Sequence, residues 1–175
     1  AGGYVQFNQR SGGIGINEHT EKIKIFGPAQ QTVATKSPSA TTPSSGNWAN
    51  PTNAYADENQ YASITSAKPS PTQTYYNYGF SILSSSIISK VRVRADAYGG
   101  NEYLDIDVSW NGGSTWSSKQ RLTLTDSEGT YWYDFTSATS WTSGKLNDTN
   151  FRVRVLAYTN GGESPVYLDW IPVEV

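Results

Sequence analysis

Apolar and polar side chains alternate along most of the second half of the chain. In the segment KVRVRADAY, Val91 and Val93 stand on one side of an extended backbone, and Arg92 and Arg94 stand on the other. The same alternation runs through YLDIDVSW, QRLTLT, TYWYDF, NFRVRVLAY and VYLDWIPVEV. A period of two residues is typical of antiparallel strands with one buried face and one solvent-facing face. These segments predict strands.

No segment of useful length keeps a helical period, and only TSATSWTSGKLND is compatible with a turn of helix. The strand signals recur at the spacing typical of a sandwich. We therefore predict an all-β fold: a two-sheet antiparallel β-sandwich, jelly-roll-like, with an extended N-terminal β arm.

Three regions differ in composition. Residues 1–35 hold short β-like pieces, YVQF, IGI and KIKIF, and we assign them to an N-terminal arm. Residues 36–47, KSPSATTPSSGN, are rich in Ser, Thr and Pro, which predicts a linker or loop. Residues 48–175 carry the predicted sandwich.

Two segments echo each other, RVRADAY at 92–98 and RVRVLAY at 152–158. We expect them to lie in one sheet with four core-facing valines, Val91, Val93, Val153 and Val155. Their arginines then share the outer face with Asp105 and Asp107, if YLDIDV pairs with either segment. This pattern predicts a surface charge ladder, with an anionic-glycan site on the four arginines as the alternative.

Bulk composition excludes several classes of function. The net charge of −2 argues against a nucleic-acid groove, which needs clustered Lys and Arg. The sequence has no Cys, which excludes disulfides and thiolate metal sites. It contains no apolar run long enough for a transmembrane segment.

The chain begins AGGYVQF and contains no Met. A small first residue is typical of signal-peptide cleavage, although other trimming would leave the same end. We therefore expect an extracellular or cell-surface location. Asn147 begins an Asn-Asp-Thr sequon, a candidate N-glycosylation site.

Candidate catalytic residues are few, and we predict no enzyme and no cofactor. His19 is the only histidine, so a catalytic triad or a histidine-based zinc site lacks partners. Asp105 and Asp107 are about 6.5–7 Å apart along a strand, a separation that inverting glycosidases use. One of the two must stay protonated in such an enzyme, and nearby arginines oppose that.

A structural Ca²⁺ site is the one metal hypothesis. Asn53 and Asp57 lie in the loop NPTNAYADENQYA, and Asp169 lies near the C-terminus. Ca²⁺ takes six to eight oxygen ligands, and a loop tied to the last strand would supply some of them. Asx-turns without a metal are the alternative.

The stretch SWNGGSTW resembles the Asp-box hairpin of sialidase-like propellers, with Asn111 at the usual Asp position. A propeller repeats the box in every blade, and this chain has one copy. We interpret the stretch as a turn in which Asn111 and Gly112 tolerate positive φ.

A wider resemblance covers residues 47–175. The strings NWANPTNAYADENQYA, YYNYGFSI, VSWNGGSTWS, DFTSATSW, NFRVRV and VYLDWIPVEV occur in this order. Together they resemble a lectin-like jelly-roll module recurrent in archaeal surface or secreted proteins and in phage structural proteins. The resemblance implies an extracellular or virion-surface domain and no established catalytic residues.

The arm leads to the main functional hypothesis, a pilus-like extracellular filament subunit. Val5 with Phe7, or Ile23 with Ile25, would enter a neighbouring copy by strand exchange, which makes the partner the protein itself. The alternatives are a secreted carbohydrate-binding, lectin-like module that contacts glycans or cell surfaces, and a phage decoration or tail protein.

Overall fold

The structure is a computed structural model that describes residues 32–43, 48–65, 71–158 and 164–175. Apart from Thr32, these ranges fall in the compact unit Val33–Val175. Residues 1–31 of the predicted arm (1–35), which include Val5, Phe7, His19, Ile23 and Ile25, lie outside the described residues.

Sheet I is built around a seven-residue central strand. Its members are β1 (Thr35–Lys36), β3 (Ala62–Ile64), β5 (Arg92–Tyr98), β8 (Gly129–Asp134), β10 (Val166–Trp170) and β11 (Val173–Glu174). Strand β5 pairs with β8 along one side and with β10 and β11, end to end, along the other. Strand β3 continues the sheet beyond β10, and β1 continues it beyond β11.

Sheet II contains β2 (Ala40–Thr42), β4 (Gln73–Tyr76), β6 (Tyr103–Ser109), β7 (Gln120–Thr123) and β9 (Arg152–Tyr158). The strands lie in the order β2, β4, β9, β6, β7, and every pairing in both sheets is antiparallel. Short 3-10 helices span Pro51–Ala54 and Ser143–Lys145. The predicted two-sheet antiparallel sandwich is confirmed.

Period-two alternation decides which side chains enter the core between the sheets. The four predicted valines, Val91, Val93, Val153 and Val155, are all fully buried. Large side chains from the loops and edges complete the packing, among them Trp48, Phe135 and Phe151. Within the described ranges, no helix has the length and apolar character to span a membrane.

The prediction that RVRADAY and RVRVLAY share a sheet is wrong. The first is β5 of sheet I and the second is β9 of sheet II. Each strand has neighbours on both sides within its own sheet. The valines of both strands are buried in the core between the two sheets. The two segments match because each is an inner strand with one face in the core, and not because they are neighbours in one sheet. The pairing of YLDIDV with one of them, which the sequence analysis gave as a condition, does occur, because β6 pairs with β9.

The sheets begin earlier in the chain than the sequence indicated. Strands β1 and β2 lie at the end of the predicted arm and inside the predicted linker 36–47. Thr41 donates its hydroxyl to the Thr74 carbonyl and accepts from the buried Gln73 amide. Hydroxyl-rich residues thus serve here as strand residues whose side chains bond across the sheet.

The stretch SWNGGSTW opens the loop between β6 and β7, and its bonds are local. Ser109 Oγ accepts from Gly113 N at 2.9 Å, and Asn111 Oδ1 accepts from Thr115 N at 2.8 Å. Positive φ falls on Gly112 (72°) and Gly113 (96°) rather than on Asn111, contrary to the predicted turn.

Candidate functional site

The outer face of sheet I displays polar and aromatic side chains from its central strand and both neighbours. Because Val93 and Ala95 point into the core, Arg92, Arg94 and Asp96 point outward. Three further outward residues lie opposite them: Trp132 faces Arg94 in the register, Trp170 faces Asp96, and Glu174 faces Arg92. The rigid ladder therefore places charged and aromatic groups in adjacent rows.

Two ion pairs occupy the middle of this face. Arg94 donates to both Asp96 carboxylate oxygens, from Nε at 2.8 Å and from Nη2 at 2.5 Å. Arg92 donates from Nε and Nη2 to Glu174 Oε1, at 3.2 Å and 2.7 Å. These bonds from Arg92 lower the pKa of Glu174 below its usual range. Both carboxylates are thus held in fixed orientations by their arginines.

Each of these arginines also lies against an indole. The Arg92 guanidinium is 4.3 Å from the Trp132 ring centroid, and that of Arg94 is 4.7 Å from the Trp170 centroid. Trp170 is fixed further because its Nε1 donates to Ser37 Oγ at 2.8 Å. Trp132 remains 40% exposed, so part of its ring is open to solvent.

Three tyrosines extend the aromatic surface. Tyr98 and Tyr167 lie opposite each other in the register and stack with centroids 4.6 Å apart. Tyr61 meets both rings edge-on, at 5.2 Å and 5.9 Å. The Tyr61 hydroxyl donates to Glu128 Oε2 at 2.7 Å, and this bond is the main reason that its pKa rises to about 12.

An acidic cluster adjoins the tyrosines. Asp57, Glu128 and Asp169 each place a carboxylate oxygen within 4.8 Å of the others. Asp169 is the extra residue of a β-bulge in β10, since Leu168 pairs with Ala97 and Trp170 with the next residue, Asp96. The bulge lets a strand residue turn its carboxylate toward the loop that carries Asp57.

Within the cluster, Asp169 has a perturbed pKa, and Asp57 Oδ2 lies 3.9 Å from Arg94 Nη2. Asp169 is fully buried, and its oxygens accept from Asn59 N at 3.2 Å and Gln60 N at 3.1 Å. Burial raises the pKa of Asp169, those backbone bonds oppose the rise, and the Glu128 charge adds to it. A divalent cation would remove the repulsion among the carboxylates.

The acidic cluster contains two of the three residues named in the calcium prediction. The structure brings Asp57 and Asp169 together, as predicted, and adds Glu128, which the sequence analysis missed. Asn53 donates its amide to the Tyr61 carbonyl at 3.3 Å. Glu128 comes from the turn before β8, and no signal in the sequence connects that turn to the loop at Asp57. Whether a metal binds stays a prediction.

Comparisons with known proteins add the following findings. No protein-family model matches the chain, and no curated protein matches it. A family two carbohydrate esterase from Cellvibrio japonicus has a TM-score of 0.38 at 13% identity, covering 82% of this chain and 33% of the esterase. This chain thus spans about a third of that protein's length.

Two carbohydrate-binding modules are also similar. A CBM4 structure has a TM-score of 0.40 at 15% identity, covering 66% of this chain and 71% of that one. TmCBM61 in complex with beta-1,4-galactotriose has a TM-score of 0.41 at 9% identity, covering 81% and 86%. The identities are low, and the two-sheet architecture of this chain follows from its own strand pairing. The resemblance to archaeal surface and phage modules stays a prediction.

The outer face of sheet II carries a second set of ion pairs. Arg121 donates to both oxygens of Asp105 at 2.6 Å and 2.7 Å, and Arg154 to both oxygens of Asp107 at 2.9 Å and 2.5 Å. The arginines cover these carboxylates, whose side chains are only 4% and 3% exposed. The Arg154 guanidinium in turn lies 3.9 Å from the Trp116 centroid. The Arg154–Asp107 pair belongs to the charge ladder that the sequence predicted, whereas Arg121, the partner of Asp105, was not part of that prediction.

Two functional alternatives from the sequence do not fit this arrangement. A single site on the four arginines is wrong, because Arg92 and Arg94 lie on the outer face of sheet I and Arg152 and Arg154 on that of sheet II. Paired carboxylate catalysis would need both aspartates to face a ligand, whereas the side chains of Asp105 and Asp107 are 4% and 3% exposed and each is covered by an arginine.

Asn147, the predicted glycosylation site, is exposed in the turn after the second 3-10 helix. Its Oδ1 accepts from Asn150 N at 2.9 Å, which leaves the amide nitrogen available for modification. Glycosylation there stays a prediction.

Proposed function

We propose that the chain is a glycan-binding module and that the outer face of sheet I binds a neutral oligosaccharide. The observation that supports the proposal is Trp132, an indole 40% exposed beside fixed ion pairs on a rigid sheet. Binding, rather than a reaction, is the proposed role. A glycan ligand also fits the extracellular location expected from the sequence.

The exposed indole provides the apolar part of the site. One face of a sugar ring presents C–H groups while its rim presents hydroxyls, so a flat aromatic side chain with polar neighbours complements it. Trp and Tyr offer large contact areas at low conformational-entropy cost, because they have only two side-chain torsions. Trp132 and Tyr158 are the exposed aromatic residues among those described, and they lie on opposite outer faces.

The ion pairs beside Trp132 favour an uncharged ligand. The charges of Arg92 and Arg94 are compensated by Glu174 and Asp96, so an anion gains little net attraction. Glu174 Oε1 accepts from Arg92 and lies 3.3 Å from Lys90 Nζ. The second carboxylate oxygen, Oε2, can therefore accept hydrogen bonds from a ligand. Hydroxyl groups both donate and accept, and they match such a mixed surface without a charge of their own.

The site is preorganised but open. Ladder pairing and arginine bonds hold the polar groups in place, which lowers the ordering cost of binding. An exposed sheet face buries less of a ligand than a deep pocket does. We therefore expect modest affinity, with Kd on the order of micromolar to millimolar for a short oligosaccharide.

A glycan array followed by calorimetric titration tests the proposal. Trp132→Ala should weaken binding of the best array ligand by roughly tenfold or more, since it removes the stacking surface. Tyr158→Ala is the matched control, because it removes the exposed aromatic of the opposite face. Equal weakening by the two changes, or an array without neutral ligands, would refute the assignment to sheet I.

A further inference from the structure

We infer that β8 is a self-pairing edge, through which two copies of this chain join their sheets I about a twofold axis at Trp132. The inference concerns the backbone of β8 and does not depend on glycan binding. It identifies a second copy of the chain as the partner.

The hydrogen-bonding direction of β8 follows from two bonds. Phe135 N donates to Val91 O at 2.9 Å, so Phe135 turns its backbone groups toward β5. Arg94 N donates to Pro172 O at 3.0 Å, so the arginine positions of β5 turn away from β8. Because direction alternates along a strand, Thr130, Trp132 and Asp134 direct their N–H and C=O groups outward, away from β5. No backbone group in the described ranges bonds to them there.

This edge lacks the usual protections against pairing. Strand β8 is six residues long, reads GTYWYD, and pairs with β5 in an unbroken register. It contains no Pro, no Lys and no bulge, features that commonly protect an edge strand, and its one charged residue is Asp134 at its end. The outer side of β3, by contrast, is occupied by Ala49, which exchanges two bonds with Ser63 at 2.8 Å and 3.0 Å.

The sequence of β8 is complementary to itself in one antiparallel register. Centred on Trp132, that register places Trp132 opposite its own copy and Thr130 opposite Asp134 of the second chain. All three residues have outward backbone groups, so each pair can exchange N–H···O bonds in both directions. On the outer face, an aromatic pair lies between two pairs of a hydroxyl and a carboxylate, and no like charges oppose each other.

The side chains around the edge are compatible with this pairing. Thr130, Trp132 and Asp134 are exposed. Gln120 Nε2 already donates to the Asp134 carbonyl, which retains a second lone pair for the added strand. A cleft of about 290 Å³ adjoins the Asp134 end of β8, where Gln120 and Phe135 also line it.

The test is the oligomeric state of the full chain by sedimentation velocity over a concentration series. An edge pairing of this length is a small interface, so we expect a reversible dimer that grows with concentration. Thr130→Pro removes an outward N–H without affecting the ladder to β5, because proline is tolerated on an edge. It should raise the dimer Kd roughly tenfold or more, since symmetry removes two bonds at once. Thr130→Val is the matched control that keeps the N–H, and it should dimerise.

A charge exchange tests the register itself. Trp132→Lys and Trp132→Glu should each be monomeric, because like charges meet at the twofold axis, and an equimolar mixture should form a heterodimer. Monomeric wild-type protein at its highest soluble concentration would overturn the inference. So would unchanged dimerisation of Thr130→Pro, or a mixture that stays monomeric. Open-ended polymers that persist in Thr130→Pro would instead favour strand exchange by the N-terminal arm.

Discussion

A carboxylate in place of Val153 tests which face of β9 is buried. Val153 is fully buried and lies between Tyr75 of β4 and Val108 of β6, both also fully buried. Loss of the valine from the core costs about 1.5–3 kcal/mol. An unpaired polar group in the same place costs about 2–7 kcal/mol more. The combined loss rivals the whole unfolding free energy of a typical domain, about 5–15 kcal/mol, so Val153→Asp should be largely unfolded at neutral pH.

Two milder substitutions give a graded series. Val153→Thr keeps the shape and adds one buried hydroxyl, which should cost about 1–3 kcal/mol. Arg152→Gln changes the neighbouring outward position, where the guanidinium lies 4.6 Å from the Tyr76 ring. The same guanidinium donates to the Asp148 and Phe151 carbonyls at 2.6 Å and 2.8 Å. Because these contacts are partly open to solvent, their loss should cost about 1 kcal/mol or less.

Urea unfolding followed by far-ultraviolet circular dichroism measures the series. Burial raises the folded-state pKa of a carboxyl above its unfolded value near 3.9. The destabilisation of Val153→Asp should therefore grow as pH rises above about 4 and be smallest in acid. Equal midpoints for Val153→Thr and Arg152→Gln, or a Val153→Asp variant that is stable at neutral pH, would refute the face assignment.

Two further predictions concern the carboxylates of sheet I. Ca²⁺ should raise the Tm of metal-stripped protein, and Glu128→Gln, which can still accept from Tyr61, should lose most of that rise; no shift in wild-type protein would exclude the metal hypothesis at Asp57 and Asp169. Bonds from Arg92 lower the pKa of Glu174, so the ionised carboxylate stabilises the fold above its unfolded pKa and loses that effect in acid. Wild-type protein should therefore lose stability between about pH 5 and 3 in urea titrations. Glu174→Gln, which has no such carboxylate, should lose less over the same range.

The sandwich itself was predictable because alternation is a local property. Strands β5, β6 and β9 could be recognised from sequence, since a buried valine or leucine alternates there with a charged residue. Strand β2 could not, because its residues Ala40–Thr42 lie in a Ser-, Thr- and Pro-rich segment with no apolar alternation. Its place in sheet II depends on pairing with β4, which is distant in sequence.

The candidate site was less predictable because it depends on contacts between distant loops and on one irregularity. Asp57 and Asp169 stood out as acidic residues near a predicted strand, and they do meet. Glu128 comes from a different turn, and its approach follows from the pairing of β8 with β5. The bulge makes Asp169 an exception to the alternation of inward and outward side chains along β10. A sequence analysis based on a period of two residues assigns every residue to one face and so cannot detect such a bulge.

The two outer faces use the same chemical elements in different ways, and the difference explains why binding is assigned to one of them. On sheet II, Arg121 and Arg154 form bonds between strands and cover Asp105 and Asp107, which are almost fully buried. On that face, the charged side chains bond to one another and join β6 to β7 and β9. On sheet I, Arg94 bonds within its own strand to Asp96. Besides the backbone ladder, β5 contacts β8 through the Arg92 guanidinium over the Trp132 ring and a 3.4 Å bond from Arg94 Nη2 to Thr130 Oγ1.

Strand β8 therefore presents both an exposed indole and a free backbone edge. If glycans bind at Trp132 and copies pair along the same strand, the two activities are coupled. Pairing places two indoles side by side on one continuous sheet, which would let a longer oligosaccharide contact both copies. Such coupling predicts that long chains of the preferred sugar promote dimers, whereas the monosaccharide does not. Sedimentation with each ligand separates these outcomes, and dimerisation that is indifferent to chain length would show that the two activities are independent.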